Sequence, residues 1–160
     1  VGTSKITGAT CVNIIRATGR LNTVTVNNAS NDAIDVDFSK LSFDNIIIKN
    51  SGNDCIDLSY GDYYINNAAL TGCVDKAISV GEKSNLTIDF SKISNSNIGV
   101  VAKDSSVVKV GNVVNDDVAI CFSAYNKKQE FWGGKIIVNN HNCQPSQIYQ
   151  KKNSLVEFVQ

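Results

Sequence analysis

"NDAIDV", Asn31 to Val36, is followed 22 residues later by "NDCIDL", Asn53 to Leu58. Two near-identical hexapeptides can be a duplicated metal site, a pair of catalytic carboxylates, or one structural unit used twice. Stepping along the chain decides between them. From Ala33-Ile34-Asp35-Val36, steps of 22 give Cys55-Ile56-Asp57-Leu58, then Ala77-Ile78-Ser79-Val80, then Gly99-Val100-Val101-Ala102. A backward step of 22 lands on Cys11-Val12-Asn13-Ile14, and a forward step of 20 reaches Ala119-Ile120-Cys121-Phe122. All six copies keep the order small, apolar, variable, apolar, which is the signature of a stacked repeat.

The rest of each unit follows the same step. Leu21, Phe43, Ile65, Ile88 and Val110 hold one column, and Val24 and Val26 correspond to Ile46 and Ile48, then to Ala68 and Leu70. An Asx residue precedes the small residue by two positions at Asn31, Asn53, Asp75, Asn97 and Asp117. Asn and Asp tolerate left-handed backbone angles, so these positions are expected to make the recurring turn. The composition agrees: Asn, Ser, Val and Ile are abundant, there is one proline, and no stretch is built of helix formers. The expected fold is all-β, a right-handed parallel β-helix (a single-stranded solenoid) of about 6–7 coils with ~22 residues per coil. At roughly 4.8 Å per coil the rod is about 30 Å long. Leucine-rich repeats have a similar period, but their Leu-x-x-Leu-x-Leu signature is missing.

Residues 1–160 read as a single β-helix domain, a module or fragment of a longer chain. "SAYNKKQEFWGG" at 123–134 breaks the period and is expected to leave the rod as a loop between coils. Fifteen basic and fifteen acidic side chains leave no net charge, which argues against a nucleic-acid partner. No apolar run approaches the ~20 residues of a membrane span. An open solenoid end must be capped or paired, so neighbouring coils or subunits are expected partners at both ends. Val1 to Thr10 shows no amphipathic helix to serve as a cap, and "NSLVEFVQ" reads as a last strand or a pairing surface.

The phrases "VDKAISVGEKS" (Val74 to Ser84), "NIGVVAKDSS" (Asn97 to Ser106) and "AYNKKQEFWGGKIIV" (Ala124 to Val138) carry a resemblance. The chain resembles the right-handed β-helix repeats of the pectin-lyase-like superfamily, as found in large bacterial secreted and surface proteins, over Cys11 to Val138. That resemblance implies polysaccharide chemistry or surface display, and an extracellular or cell-surface location. It implies no single activity, because the superfamily holds lyases, hydrolases, epimerases, tailspikes and silent scaffolds.

Alternation assigns the faces. Val12, Ile34, Ile56, Ile78, Val100 and Ile120 should point inward, and Asn13, Asp35, Asp57, Ser79, Val101 and Cys121 outward. Beside the outward column run Asp37, Ser59, Gly81, Lys103 and Ser123. Asp35, Asp37 and Asp57 should therefore share a face, with Asp32 and Asp54 at its edge. Like charges one coil apart need a cation, a raised pKa or water. Three readings stand side by side: a Ca²⁺ site on Asp35, Asp37 and Asp57, a glycan contact, and a solvated scaffold face. Asp35 and Asp57 are the catalytic candidates if there is catalysis. Tyr60, Tyr63 and Tyr64 in "YGDYY", with Trp132 of the insertion, could stack on sugar rings, although Tyr60 and Tyr63 could equally fill the corner of the coil. The partner expected is a polysaccharide or cell-surface glycan, and the one cofactor the face could hold is Ca²⁺.

Enzyme signatures are weak. The resemblance to pectate-type lyases would require an Arg or Lys base near Ca²⁺-binding acids. The arginines, Arg16 and Arg20, lie near the start, and neither Lys76 nor Lys83 has a partner identifiable in the sequence. Asn115-Asp116-Asp117 is a poor match to hydrolase motifs, and the single histidine, His141, sits in an Asn-rich turn. The balance favours a non-catalytic module, structural or polysaccharide-contacting. A polysaccharide lyase, hydrolase or epimerase, or a phage or viral tail-fibre segment, stand as the alternatives. Five cysteines show no framework: Cys11 and Cys55 share a column but lie roughly 9–10 Å apart, beyond disulfide reach. Packed free thiols are the expectation. Asn28-Ala29-Ser30 and Asn85-Leu86-Thr87 are glycosylation sequons that matter only in a eukaryotic secretory host.

Overall fold

A computed structural model of the chain describes residues 4–7 and 12–159; the copy of the repeat at Cys11 begins outside them, as does most of the stretch Val1 to Thr10. The strands are β1 (Ser4–Thr7), β2 (Val12–Ile15), β3 (Thr18–Ala29), β4 (Ile34–Asp37), β5 (Lys40–Ser51), β6 (Ile56–Ser59), β7 (Asp62–Cys73), β8 (Lys76–Gly81), β9 (Asn85–Lys103), β10 (Val107–Tyr125), β11 (Lys135–Asn140), β12 (Ile148–Gln150) and β13 (Leu155–Phe158). Every pairing between them is parallel, and the chain winds as a β-solenoid of about 7 turns with ~22 residues per turn.

The columns follow from burying one side chain per coil at each level. Leu21, Phe43, Ile65, Ile88, Val110, Val138 and Phe158 stack in register along one sheet. On the short-strand side Val12, Ile34, Ile56, Ile78, Val100, Phe122 and Ile148 stack likewise. Most of these side chains are fully buried, each sealed by the coil on either side. The expected shortening of the last repeat to 20 residues is corrected here. Val100 pairs with Phe122 and Ile98 with Ile120, so the step remains 22 and the last copy is Cys121-Phe122-Ser123-Ala124. Ladder continuity outweighs the β-branched preference that had favoured Ile120.

The turns also differ from expectation. Left-handed backbone falls mainly on two other columns: Arg16, Phe38, Tyr60, Glu82 and Asp104, with φ between 44° and 54°, and Asn28, Asn50, Gly72, Asn95 and Asp117; Lys83 and Ser105, just after the first column, and Asn153 share it. Of the Asx residues expected there, Asp117 alone is left-handed. Asn50 donates its amide to Asn28 Oδ1 at 2.9 Å, so the Asn corner is tied coil to coil. Asn53 serves the neighbouring turn by donating to Asp32 Oδ1 at 2.8 Å.

The cysteines are not free thiols. Cys55 is bonded to Cys73 with Cα atoms 5.4 Å apart, and Cys121 to Cys143 with Cα atoms 6.2 Å apart. The first bridge crosses within one coil, and the second joins residues one period apart on successive coils, so neither pair is two coils away. The inserted loop is shorter than 123–134, because β10 stays paired to Tyr125. Residues 126–134 then fold back on the rod: Lys127 and Lys128 donate their backbone N–H to Asp104 Oδ1 at 2.7 and 2.8 Å. Trp132 N–H donates to Ser105 Oγ at 2.8 Å, and Ser105 N–H returns a bond to Trp132 O at 2.8 Å.

Candidate functional site

Strands β2, β4, β6 and β8 and the ends of β9 and β10 present two outward columns. One reads Asn13, Asp35, Asp57, Ser79, Val101, Ser123 and the other Ile15, Asp37, Ser59, Gly81, Lys103, Tyr125. Ser123 and Tyr125 thus take the places expected for Cys121 and Ser123, a consequence of the constant 22-residue step. Asp35, Asp37 and Asp57 share the face as expected and are half-buried.

From the next coil onward the same face is covered. Ser79, Gly81, Val101, Lys103 and Ser123 are all buried although they point outward. Lys103 lies along the strand over Gly81, where an added Cβ would come within 2.8 Å of Lys103 Cε. The glycine thereby leaves room for the lysine to place its Nζ 2.9 Å from Ser79 Oγ and 3.7 Å from Asp57 Oδ1. Asp57 Oδ1 is buried with no hydrogen-bond partner, so the Lys103 charge is its main compensation. Glu82 accepts a bond from Ser59 Oγ at 2.6 Å and meets Lys128 Nζ of the folded-back loop at 2.6 Å.

The electrostatics follow this layout. Asp35 is pushed up to about 6 by partial burial and then by Asp37, Asp57 and Asp32; Asn13 Nδ2 donates to it at 3.1 Å. Burial likewise raises Asp37, helped by Asp57 and Glu82 and opposed by Lys128. Burial alone would raise Glu82 as well, but its bonds to Lys128 and Ser59 outweigh that and hold it below the usual carboxylate range. Asp35 is therefore half-protonated at about pH 6. Lys103 Nζ is buried between Ser79 and Asp57, away from the open surface of the face.

Asp32 and Asp54 belong to the corner. Asp32 Oδ1 accepts the Asp54 N–H at 2.9 Å, and Asp54 Oδ1 accepts the Lys76 N–H at 3.1 Å and its Nζ at 3.2 Å. Lys76, which lacked an identifiable mate in the sequence, also pairs with Asp75. Among the described residues no three His, Cys, Asp or Glu side chains converge to hold a metal ion. Asp35, Asp37 and Asp57, the residues expected to hold Ca²⁺, do not form such a group. Parallel strands aim these carboxylates side by side, and Asp35 and Asp57 turn towards Asn13 and Lys103.

The tyrosines of "YGDYY" part company. Tyr60 sits on the left-handed corner with its ring 4.7 Å from Phe38 and nearly parallel to it, at 6°. The Arg16 guanidinium lies 5.4 Å over the other side of Phe38. Phe38 and Tyr60 are 49% and 40% exposed, and they border the acidic columns through Asp37 and Ser59. Tyr63 is buried, its hydroxyl 2.9 Å from Ser59 O and 3.1 Å from Val36 O, and burial pushes it up to about 12. Tyr64 lies on the next sheet, bonded to Asp89 and near the Arg20–Asp44 pair. Trp132 is 74% exposed on the pinned loop. His141 packs its ring 4.4 Å from Phe158 and accepts the Cys143 N–H at 3.1 Å, which makes it part of the C-terminal end of the rod.

Phe38, Glu82 and Lys128 were missed in the sequence, and Lys103 was placed beside the face without a role. For the first two a signal existed, because Phe38, Tyr60 and Glu82 are spaced by one period. No family model, curated protein or solved structure matches this chain.

Proposed function

We propose that the chain is a non-catalytic β-solenoid module of a secreted or surface-displayed protein, and that it contacts polysaccharide through the Asp35–Asp37–Asp57 face and the Phe38–Tyr60 edge. The observation that carries this reading is the pair of exposed, stacked rings beside half-buried carboxylates. Aromatic surfaces take the C–H faces of sugars, while carboxylates and amides such as Asn13 take their hydroxyls. Two disulfides support a life in an oxidising compartment. The 22-residue coil supports placing the chain with the pectin-lyase-like superfamily. No described helix is long and apolar enough to cross a membrane.

A second reading has one observation in its favour. Asp35, with its pKa near 6, could pass a proton to or from a glycosidic oxygen, as an acid-base enzyme on polysaccharide would require. One experiment separates the two: glycan-array binding and product assays with the wild type and with D35N, D37N, D57N, F38A and Y60A. The module reading expects binding that F38A and Y60A abolish, with no product. Product formation that D35N alone removes would move the assignment to the enzyme. If F38A and Y60A both leave binding unchanged, the aromatic edge is scaffold.

A further inference from the structure

The two disulfides lie in opposite surroundings. Cys55 and Cys73 are both fully buried, and they tie the start of one coil to its end. Cys121 is buried, but its mate Cys143 is partly exposed in the stretch 141–147, which ends in a single 3-10 turn, Pro145–Gln147. That stretch carries the chain into β12 and β13, which close the C-terminal end over the core. It is held by few groups: Asn142 Oδ1 accepts the Asn115 N–H at 2.8 Å, and Asn142 Nδ2 donates to Asn115 O at 2.7 Å. Gln147 Nε2 donates to Val118 O at 2.7 Å, and Asn115 Nδ2 donates to Cys143 Sγ at 3.1 Å. The strands that follow pair over three residues for β12 and four for β13. Beneath this cover lies Phe122, fully buried, with the rings of His141 and Phe158 each 6.0 Å from it.

We propose that Cys121–Cys143 is a thiol-reducible clasp on the C-terminal cap, residues 141–159, which opens while Cys55–Cys73 stays closed. The thiolate of a small dithiol attacks Sγ of Cys143, the more exposed residue of the pair. The S–S bond breaks, and its electron pair leaves on Cys121 Sγ, which takes up a proton. The second thiol of the reductant then displaces Cys143 from the mixed disulfide. The products are two protein thiols and one oxidised, cyclic dithiol, and the two protons of the reductant end on the two cysteines. With the bond cut, the cap is held by the contacts named above, by the Lys135–Glu157 ion pair, by Lys151 over the Tyr125 ring, and by the N–H groups of Lys151, Leu155 and Val159 donating to the carbonyls of Ala124, Gly134 and Val138. A cross-link spanning about 22 residues suppresses opening on the order of 100-fold, so its loss raises local opening by a similar factor. Opening uncovers Phe122 and leaves the end of the core bare.

The test is graded reduction of the intact chain with dithiothreitol. Any free thiol is blocked beforehand, newly formed thiols are alkylated, and each cysteine is followed by peptide mass spectrometry. Amide exchange is measured on the same samples. Cys121 and Cys143 should be alkylated together at least about tenfold faster than Cys55 and Cys73. Exchange in 141–159 should rise on the order of 100-fold, while β4 to β9 keep their protection. The C121S/C143S variant should show the open-cap exchange without reductant. Equal reduction rates for the two pairs, earlier reduction of Cys55–Cys73, or unchanged exchange in 141–159 after Cys121–Cys143 is reduced would each overturn the proposal, independently of how the variant folds.

Discussion

The outward face of the short strands is built twice from the same repeat, and its two halves behave oppositely. Around Asp35, Asp37 and Asp57 the face is half-open, acidic and bordered by rings. One coil further, at Ser79, Gly81, Val101 and Lys103, it is sealed beneath a lysine stem and a loop that folds back. The backbone ladder is the same in both halves. What differs is a glycine that admits a lysine and an aspartate, Asp104, that captures two loop amides. A solenoid therefore fixes where a side chain points and leaves its exposure to be set by a few residues per coil.

The largest expected effect comes from removing the seal. Asp104 is fully buried and accepts two backbone N–H groups, so D104A should cost about 3 kcal/mol. In chemical denaturation the midpoint should fall, and exchange should rise in 126–134. If 126–134 stays protected, the loop is held by something other than Asp104. Next in size is K103M, which keeps the apolar stem but leaves Asp57 Oδ1 without its cation. A loss of about 2 kcal/mol is expected, and D57N in the same chain should restore most of it.

The acidic half should respond to pH. A carboxylate whose folded pKa is raised binds its proton more tightly in the fold than in the unfolded chain. Stability from Asp35 is therefore gained on acidification from about pH 6 towards 4 and lost as pH rises through that window, and the raised Asp37 acts in the same direction. Glu82, held low, loses stability on acidification and opposes this in part. Allowing for solvent screening, the Asp35 share is about 1 kcal/mol, and thermal melts of D35N should show a flatter profile between pH 7 and 5. A wild-type profile that already falls steadily from 7 to 5 would show that the acidic columns are not the controlling groups. The smallest effect belongs to the corner. F38G removes a left-handed penalty of about 1 kcal/mol and a ring stack of similar worth, so stability should change by less than about 1 kcal/mol, while the proposed glycan contact should be lost.

How legible these features were in the sequence depended on how far each contact reaches. The ruler of 22, the inward columns and the shared face of Asp35, Asp37 and Asp57 all follow from period and alternation, which are properties of the backbone. Cys121 and Cys143 are one period apart and could have been paired on that ground; looking only within the column of Cys55 hid it. The Cys55–Cys73 bridge depends on how the corners bring the two ends of one coil together, which spacing does not disclose. Lys103 reaching across a coil to Ser79 and Asp57, and Lys128 returning to Glu82, are matters of side-chain length and loop path. Tyr63 and Tyr64 are adjacent in sequence yet one is core and the other surface, because alternation within β7 sends neighbours opposite ways.

At its exposed copies, Arg16, Phe38 and Tyr60, the left-handed corner asks only for a backbone angle, and the chain fills it with a cation and two aromatics; at Glu82 and Asp104 the same corner is buried and holds the folded-back loop. Chemistry can thus be exchanged at the exposed copies without repacking the core. Duplicating one whole coil, 31–52, would add a second Phe38-like ring about 4.8 Å along the rod and leave every other contact in register. Length and the proposed glycan contact can therefore grow by the same unit of 22 residues, and a longer ladder of rings would be an addition of coils instead of a redesign of the fold.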